Sequence, residues 1–288
     1  MRTKIRRKVQ SSKVQGSIFR LKVVKEVKRL PFHKKLSTLN SLLSTLICIF
    51  AARLSISDII IHQFLTIMKI GIIVAMDKEL QALRNVFGND PRYIIAKCGI
   101  GKVNAAIGAA EMIRQHQPDA IISSGCAGGN GEGLHVKDIV ASEELVYHDV
   151  YCGRAIDDNT QFGQVQGMPA RYKADAKLLA VARELAAEKP ELSIQTGLIV
   201  TGDWFVDSKE KMQQIVDLFP EARAVDMESC AIAQTCYTYQ VPFISFRVIS
   251  DIPLQDTDAS QYHNFWAEVA DLSFQTTHTF VEALLNSE

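Results

Sequence analysis

The sequence predicts an α/β fold, a three-layer α/β/α sandwich with a mixed central sheet. Short apolar runs rich in β-branched residues alternate with segments of helical periodicity from residue 69 onward. Most of these runs lack the polar–apolar alternation of a half-exposed strand, so we expect strands that are covered on both faces. This combination is typical of domains in which helices pack on both sides of a sheet.

Composition limits the size and class of the protein. The chain has 288 residues, of which 47% are hydrophobic and 22% are charged, as in soluble globular proteins. Its formal net charge of zero conceals two unlike segments. Residues 1–67 hold 14 Lys/Arg and 2 Asp/Glu, a net of +12, whereas residues 69–288 hold 18 and 30, a net of −12. This change of sign indicates segments of different origin or role.

The basic segment 1–67 matches no targeting signal well. Its basic head runs for about 40 residues and lacks the small-residue cleavage site of a secretory signal. The apolar stretch from Leu42 to Ala52 is shorter than the roughly 20 residues that span a bilayer, and Arg53 and Asp58 follow it. Contact with a membrane surface and binding of nucleic acid through the basic residues are two alternatives.

A third interpretation of residues 1–67 is favoured. Met68 stands directly before a clean strand pattern, as a start residue would. We therefore expect 1–67 to be a basic N-terminal extension that is disordered or not part of the native protein, and 68–288 to be the functional domain. No nucleic-acid partner is expected, and membrane contact by the extension is the less favoured alternative.

Cysteine usage points to a reducing compartment. Six cysteines are scattered along the chain without a CxxC pair or regular spacing. In a domain of this size they are typical of reduced, mostly buried thiols in a cytoplasmic protein. We expect a cytoplasmic location and no metal site.

The domain begins with a strand and a helix. Lys69 to Ala75 is a continuous apolar run, typical of a strand that is buried on both faces. Glu79 follows at the start of a helix in which Leu80, Leu83 and Phe87 recur at helical spacing. An acid therefore stands at a strand-to-helix junction.

The next elements bring in glycine. A second strand covers Tyr93 to Ala96, and the turn from Gly99 to Lys102 leads into an alanine-rich helix that ends near Gln115. The third strand, Ala120 to Ser124, ends in a small-residue loop from Gly125 to Gly129. Such residues let a ligand approach the backbone closely, although the loop matches neither a P-loop nor the GxGxxG fingerprint.

The middle of the chain alternates in the same way. A strand over Asp138 to Val146 precedes Tyr147-His148-Asp149, and residues 152–172 form an irregular surface loop before a helix over Ala174 to Glu188. The following strand covers Ile194 to Thr201.

An aromatic pair, Trp204 and Phe205, stands after that strand and before a helix over Lys209 to Leu218. Such a pair stacks on a planar ligand or plugs the core, and the residues alone leave both alternatives open.

Two carboxylates, Asp226 and Glu228, stand where an apolar segment meets a helix N-terminus. The helix dipole and free N–H groups stabilise negative charge there, and a simple helix cap is the alternative.

The last strand, Pro242 to Ile249, contains Arg247 and is followed by Ser250-Asp251. An arginine in such an apolar run needs a charged partner or a ligand. A long helix over Ser260 to Leu285 follows.

Features that suit a ligand fall at the predicted strand ends, where ligands bind in sheets of this class. They are Glu79, the Gly125–Gly129 loop, Trp204-Phe205, Glu228 and Asp251. Separated acids, an arginine, aromatics and a glycine loop suit a neutral, planar, polyhydroxylated ligand such as a nucleoside. Cleavage of its N-glycosidic bond needs one acid to protonate the leaving base and one carboxylate to activate the nucleophile.

The motifs together resemble the 5′-methylthioadenosine/S-adenosylhomocysteine nucleosidase family, whose members have the nucleoside phosphorylase-like α/β fold. The resemblance covers 69–288 and none of 1–67. It rests on Ile70-Gly71-Ile72-Ile73, Ala75-Met76, Glu79, Gly99-Ile100-Gly101-Lys102, Gly125-Cys126-Ala127-Gly128-Gly129, Tyr147-His148-Asp149, Gly202-Asp203, Asp226-Met227-Glu228 and Ser250-Asp251.

The resemblance implies three catalytic residues. Glu79 holds the attacking water, and Asp251, with Ser250 beside it, protonates N7 of the purine. Arg247 lies near the water and Glu228. Hydrolysis of 5′-methylthioadenosine, S-adenosylhomocysteine and 5′-deoxyadenosine to adenine and a 5-substituted ribose is the implied activity, without a cofactor.

The resemblance also implies binding residues. Met227 and Glu228 bind the ribose, Phe205 stacks on the base, and the Val206 backbone contacts the base edge. Met76 and a residue around Tyr262 line the alkylthio pocket, which the second chain of a homodimer completes from the loop after Asp149. The remaining implied contacts are Cys126, Ala127, Gly128 and Ser250.

The chain departs from the family pattern at three places. Cys126 stands where a hydroxyl residue is common, and a thiol is the weaker hydrogen-bond donor. Asp226 replaces the more common Glu. Residues 252–264 align poorly, which leaves the preferred 5′-substituent open.

Three other functions remain as alternatives. A phosphate-dependent purine nucleoside phosphorylase would need further Arg or Lys residues around a phosphate, and few candidates accompany Arg247. A nucleosidase for a futalosine-type nucleoside is the second alternative. A non-catalytic nucleoside-binding module is the third, although every matched acid is present.

Overall fold

The computed structural model describes residues 68–153, 159–255, 260–268 and 270–287. Every prediction on the extension 1–67 lies outside the described residues. The strands are β1 (Ile70–Val74), β2 (Tyr93–Lys97), β3 (Ala120–Gly129), β4 (Ile139–Tyr147), β5 (Tyr172–Lys173), β6 (Ile194–Thr201), β7 (Ala222–Asp226) and β8 (Phe243–Asp251).

The helices are α1 (Asp77–Phe87), α2 (Lys102–His116), α3 (Ala176–Glu188), α4 (Lys209–Leu218), α5 (Ser229–Tyr239), α6 (Ser260–Glu268) and α7 (Ala270–Asn286). The alternation of strands and helices is thus confirmed. The predicted final helix is divided in two, and residue 269 between its parts lies outside the described residues.

The eight strands form a mixed sheet, as predicted. Strand β1 is parallel to β2 and β3, and β3 is parallel to β8. Strand β6 is parallel to both β4 and β7. Strand β3 is antiparallel to β7, and β4 is antiparallel to β8.

The simple three-layer sandwich is not confirmed, because five strands close on themselves. Strand β8 pairs with both β3 and β4, which completes the circuit β3-β7-β6-β4-β8. Strands β1 and β2 extend this closed ring on one side, and β5 pairs with β4. The sequence did not predict this closure, because an apolar run that is buried on both faces does not indicate which strands pair with it.

The predicted glycine loop is part of β3. Gly125 has φ +134°, and pairing with β8 continues to Gly128 opposite Asp251. Gly128 and Gly129 also pair with β7. A Cβ atom on Gly129 would lie 2.8 Å from Ile249 Cγ2, so the small residues let neighbouring elements meet at this corner.

The helices cover both faces of the strands. Ile72 and Ile122 pack in one core cluster with residues of α1, α3 and α7, and Phe280 of α7 stacks on Phe246 at 4.6 Å between ring centroids. Ile73 and Ile121 belong to a second core cluster, which contains residues of α2 and α5. Burial of each such side chain contributes about 1.5–3 kcal/mol.

In the part of the chain that the structure describes, none of the helices has the length and apolar character required to cross a bilayer. The five cysteines in this part are free thiols.

Candidate active site

A cleft of about 620 Å³ lies where β1, β3, β6, β7 and β8 end. This volume includes space that is open to solvent. The predicted residues that line it are Met76, Glu79, Cys126, Ala127, Gly128, Phe205, Val206, Met227, Glu228, Ser250, Asp251 and Tyr262. Arg247 is the one predicted site residue that lies behind the wall of the cleft, where it is 1% exposed.

Glu79 is fixed by the backbone at the floor of the cleft. It lies in the first turn of α1, directly after β1, and is 1% exposed. One carboxylate oxygen accepts hydrogen bonds from the N–H groups of Ala75 and Met76 at 2.9 Å, and the other accepts from Cys126 N–H at 3.0 Å. Burial raises the pKa of Glu79, while the Arg247 charge and these three donors oppose that rise.

The buried arginine has the charged partner that the sequence required. Arg247 Nε lies 2.9 Å from Asp226 Oδ2, and Nη2 lies 3.6 Å from Glu228 Oε2. The guanidinium also donates to the hydroxyls of Ser123 at 2.8 Å and Ser229 at 3.0 Å. Burial alone would lower the pKa of Arg247, but the surrounding carboxylates raise it, so the side chain stays charged.

Asp226 has a structural environment despite its place beside the cleft. Its Oδ1 accepts from Thr201 Oγ1 at 2.6 Å and from the backbone N–H groups of Glu228 and Ser229 at 3.3 and 3.2 Å. With Arg247 on Oδ2, the carboxylate is enclosed by donors from β6, β8 and the start of α5. It therefore fixes the strand-to-helix junction.

Glu228 stands at the N-terminus of α5, as the sequence predicted. Its Oε1 accepts a hydrogen bond from Gly101 N–H at 3.0 Å. Burial raises the pKa of Glu228 to about 7, against the opposing charge of Arg247. The side chain is thus poised between its neutral and ionised forms near neutral pH.

Asp251 and Ser250 end β8 on the cleft wall. Ser250 Oγ lies 2.6 Å from Asp251 Oδ1 and 3.3 Å from the Ala127 carbonyl oxygen. The serine hydroxyl therefore orients the carboxyl group of Asp251 toward a fixed position.

Cys126 presents its thiol beside Glu79. Burial, and next the Glu79 charge, raise the pKa of Cys126 well above its ordinary value. The thiol is therefore neutral, and it is a weak hydrogen-bond donor in this position.

The rim of the cleft is aromatic. Trp204 and Phe205 are 40% and 48% exposed, so they do not plug the core. Phe205 meets the Tyr262 ring edge-on, with centroids 5.3 Å apart, and the Tyr262 hydroxyl lies 3.8 Å from Met76 Sδ. A planar ligand has aromatic faces on this side of the cleft.

Sequence reasoning missed two contributors from one turn. Ile100 lines the cleft, and Gly101 supplies the N–H group that holds Glu228. The resemblance includes this turn among its motifs but implies no role for it. Its signal was a glycine directly before a helix, here with φ +91°, where free N–H groups donate hydrogen bonds to an anion.

No cluster of three or more His, Cys, Asp or Glu suited to a metal ion occurs within residues 68–153, 159–255, 260–268 and 270–287. Lysine and arginine are likewise missing from the described lining of the cleft. Four acids, Glu79, Asp226, Glu228 and Asp251, and an aromatic rim therefore dominate the chemistry of the site.

Comparisons with known proteins agree with this geometry. The model of the phosphorylase superfamily matches residues 69–286. A 5′-methylthioadenosine/S-adenosylhomocysteine nucleosidase of an Exiguobacterium species is 40% identical over 211 residues, covering 67% of this chain and 89% of that protein.

Two solved structures are also similar to this chain. The nucleosidase of that name from Neisseria meningitidis, in complex with methylthio-immucillin-A, superposes with a TM-score of 0.68 at 34% identity, covering 76% of this chain and 99% of that one. The futalosine hydrolase of Helicobacter pylori superposes with a TM-score of 0.67 at 28% identity, covering 77% and 99%.

The match to the superfamily extends over most of the chain. The Exiguobacterium protein is covered over 89% of its length, and 40% identity is more than a shared fold alone requires. The chain therefore belongs to the phosphorylase superfamily and, within it, to the 5′-methylthioadenosine/S-adenosylhomocysteine nucleosidase family.

Proposed function

We propose that the protein hydrolyses the N-glycosidic bond of 5′-methylthioadenosine and S-adenosylhomocysteine, and also of 5′-deoxyadenosine, to adenine and the 5-substituted ribose. The observation that carries this proposal is the pair Glu79 and Asp251 in one cleft. Glycosidic hydrolysis needs two carboxyl groups with separate tasks. Three backbone N–H groups hold Glu79, and the Ser250 hydroxyl contacts Asp251.

Asp251 acts first, as the acid that donates a proton to N7 of the purine while the bond from N9 to the anomeric carbon breaks. The electron pair of that bond goes to the base, and adenine leaves. The sugar becomes an oxocarbenium-like cation, which the nearby carboxylate of Glu228 stabilises. Met227 and Glu228 bind the ribose, while Phe205 and Val206 bind the base.

Glu79 acts on the nucleophile. Its carboxylate orients a water molecule and accepts a proton as the water oxygen bonds to the anomeric carbon. Arg247 is a positioning residue, because it lies behind the cleft and contacts Asp226 and Glu228. It keeps these two carboxylates in place. Its positive charge also lowers the electrostatic cost of burying Glu79, Asp226 and Glu228 close together.

A phosphorylase reaction is disfavoured by the charge around Arg247. Asp226, Glu228 and Glu79 all act on the guanidinium, so little positive charge remains for a phosphate. A phosphate beside Glu79 would also be repelled. Turnover of purified protein with and without inorganic phosphate tests this, and phosphate-dependent release of the 5-substituted ribose 1-phosphate would overturn the hydrolase assignment.

A futalosine-type nucleoside remains a second candidate substrate, because a futalosine hydrolase shares the fold at 28% identity. A panel of methylthioadenosine, S-adenosylhomocysteine, 5′-deoxyadenosine and futalosine distinguishes the two. We expect the highest kcat/KM with methylthioadenosine or S-adenosylhomocysteine. Preference for futalosine by tenfold or more would replace the first assignment.

We also propose a homodimer that completes the cleft. Val103 and Ile107 share one face of α2 and are 70% and 54% exposed, and Ile100 beside them lines the cleft. In the loop after Asp149, the exposed rings of Tyr151 and Phe162 stack at 5.8 Å. A second subunit that covers these apolar groups would lie next to the site.

Sedimentation of Val103→Glu/Ile107→Glu tests the dimer. We expect monomers with a raised KM. The matched control is Leu218→Glu, which changes a residue on α4 that is 50% exposed and outside the cleft. A double variant that stays dimeric would exclude this surface.

The cellular role follows from the reaction. Cleavage of methylthioadenosine would serve methionine salvage, and the free thiols suit the reducing cytoplasm. Residues 1–67 take no part in the proposed reaction. A chain that begins at Met68 should therefore keep its location and kinetics, and a change in either would give the extension a role.

A further inference from the structure

Three charged residues beside the cleft form a closed set of contacts, which we call the Lys102 clamp: Lys102, Asp149 and Asp203. The backbone N–H of Lys102 donates to Asp203 Oδ1 at 2.8 Å, and the backbone N–H of Asp203 donates to Asp149 Oδ2 at 2.8 Å. Lys102 Nζ donates to both Asp149 oxygens at 2.8 and 2.7 Å. The clamp thus joins the start of α2, the residues after β4 and the residues after β6.

The clamp is shielded enough to matter energetically. The side chains of Asp149 and Lys102 are 11% and 23% exposed, and Nζ lies 5.5 Å from the centroid of the Tyr147 ring. Exposed ion pairs contribute little because water and salt screen them. A pair that is this enclosed and that has bidentate contacts holds its geometry better.

Both ends of the clamp continue directly into the cleft. Before Lys102 come Ile100, which lines one wall, and Gly101, whose N–H binds Glu228. After Asp203 come Trp204 and Phe205 on the aromatic rim. The clamp therefore connects the backbone that holds the ribose-binding carboxylate to the backbone that carries the base-stacking rings.

Two glycines show how close these segments lie. A Cβ atom on Gly101 would be 2.9 Å from Asp203 Oδ1, and one on Gly202 would be 2.3 Å from Cε1 of the buried His148. Trp204 packs edge-on against the same imidazole, with centroids 5.2 Å apart. The glycines therefore leave room for close packing of these segments, in addition to the charged contacts of the clamp.

We propose that the Lys102 clamp is a positioning device that sets the distance between the ribose side and the base side of the cleft. Neither Lys102 nor Asp149 lines the cleft. They act through Gly101 and the Trp204-Phe205 segment, so they are positioning residues. The proposal rests on the proposed function insofar as the nucleoside bridges both walls.

Lys102→Met and Asp149→Asn test the clamp. The first removes the ammonium but keeps the backbone N–H, and the second keeps the shape of the side chain. Asp90→Asn is the matched control, because Asp90 makes a comparable pair with Arg92, at 2.7 Å, outside the cleft. Hydrogen–deuterium exchange of the free proteins is measured together with kcat and KM for methylthioadenosine.

We expect exchange to speed up at least tenfold in residues 99–103 and 202–206 of both clamp variants, and in neither segment of the control. KM should rise about tenfold or more and kcat should fall less, because a misplaced wall costs binding before chemistry. A variant that is only less stable would instead exchange faster throughout and keep the KM of its folded fraction.

Two results would overturn the clamp: unchanged exchange at 202–206 in Lys102→Met, or local loosening with KM unchanged. Kinetic additivity is a third test. Because the two residues act together, the double variant Lys102→Met/Asp149→Asn should lose less kcat/KM than the product of the losses in the two single variants. If the wild-type protein cleaves no adenine nucleoside, the proposed function fails, while the exchange data still decide whether the clamp joins the two segments.

Discussion

The floor and the rim of the cleft are built in opposite ways. Glu79 lies at the floor and Arg247 lies behind the cleft wall, and both are 1% exposed. Glu79 accepts hydrogen bonds from the backbone, and Arg247 donates to buried side chains. At the rim, Ile100, Trp204 and Phe205 are 40–50% exposed. Folding alone arranges the floor, whereas the rim keeps apolar surface that a ligand or a second subunit can cover.

This difference separates chemistry from binding. Preorganised charged groups stabilise a transition state without reorganisation during the reaction. Exposed aromatic surface stabilises the bound ligand by stacking and loss of contact with water. Substitutions at the floor should therefore lower kcat, and substitutions at the rim should raise KM.

The largest expected effect is that of Asp251→Asn. An amide cannot supply the proton that the leaving adenine needs, so kcat should fall by about 10³-fold, within the range of general acid catalysis. KM should change little, because the side chain keeps its shape. Adenine release measures kcat, and quenching of tryptophan fluorescence by adenine checks that the cleft is intact. Activity within tenfold of wild type would contradict the role of the acid.

Phe205→Ala should show the opposite pattern. Stacking of a base on an aromatic side chain contributes about 1–3 kcal/mol, so KM should rise between about fivefold and a hundredfold with kcat nearly unchanged. Leu218→Ala is the control, since it removes a comparably exposed apolar side chain outside the cleft. An equal loss in kcat would mean that the rim also takes part in the chemical step.

Glu228→Gln tests the energetic cost of the floor. The folded-state pKa of Glu228 is raised to about 7 by burial, so above pH 7 ionisation destabilises the folded state relative to the unfolded chain. This penalty disappears as the pH falls toward about 4.5. The variant should be more stable than wild type by about 1–3 kcal/mol at pH 8 and gain little at pH 5, while losing activity.

Thermal unfolding at both pH values measures this difference. A lower Tm at pH 8 would show that the hydrogen bond with Gly101 needs the ionised carboxylate.

Cys126→Ser should have the smallest effect. The neutral thiol lies beside Glu79, and a hydroxyl of similar size would bind the attacking water more strongly. We expect kcat to rise by no more than about threefold, because the three N–H donors on Glu79 are unchanged. Steady-state kinetics suffices, and a large loss of kcat would assign the thiol a task of its own.

Residues that follow apolar runs were predictable because the signal is local. Glu79 and Glu228 follow buried strands within five residues, Asp251 ends one, and the structure brings all three together at the strand ends. Burial of Arg247 in an apolar run required a charged partner, but its identity, Asp226, depended on which strands are neighbours. The closed ring of strands could not be predicted for the same reason, since it also depends on which strands are neighbours.

The Lys102 clamp was unpredictable for a related reason. Its members are 47 and 54 positions apart along the chain, and each has the appearance of an ordinary surface charge. The extension of β3 through Gly129 was missed because glycine is unfavourable inside strands, and pairing with β7 and β8 overrides this preference.

Closure of the strand ring by β8 has a consequence for how the enzyme becomes active. Ile121 pairs with Phe243, more than a hundred positions further along the chain, and β8 carries both Arg247 and Asp251. Such distant pairings are slow to form because a long loop must close first. During synthesis, the earlier strands have emerged before Asp251, the proposed proton donor, exists. Activity on refolding should consequently appear together with the last, slowest step of sheet formation.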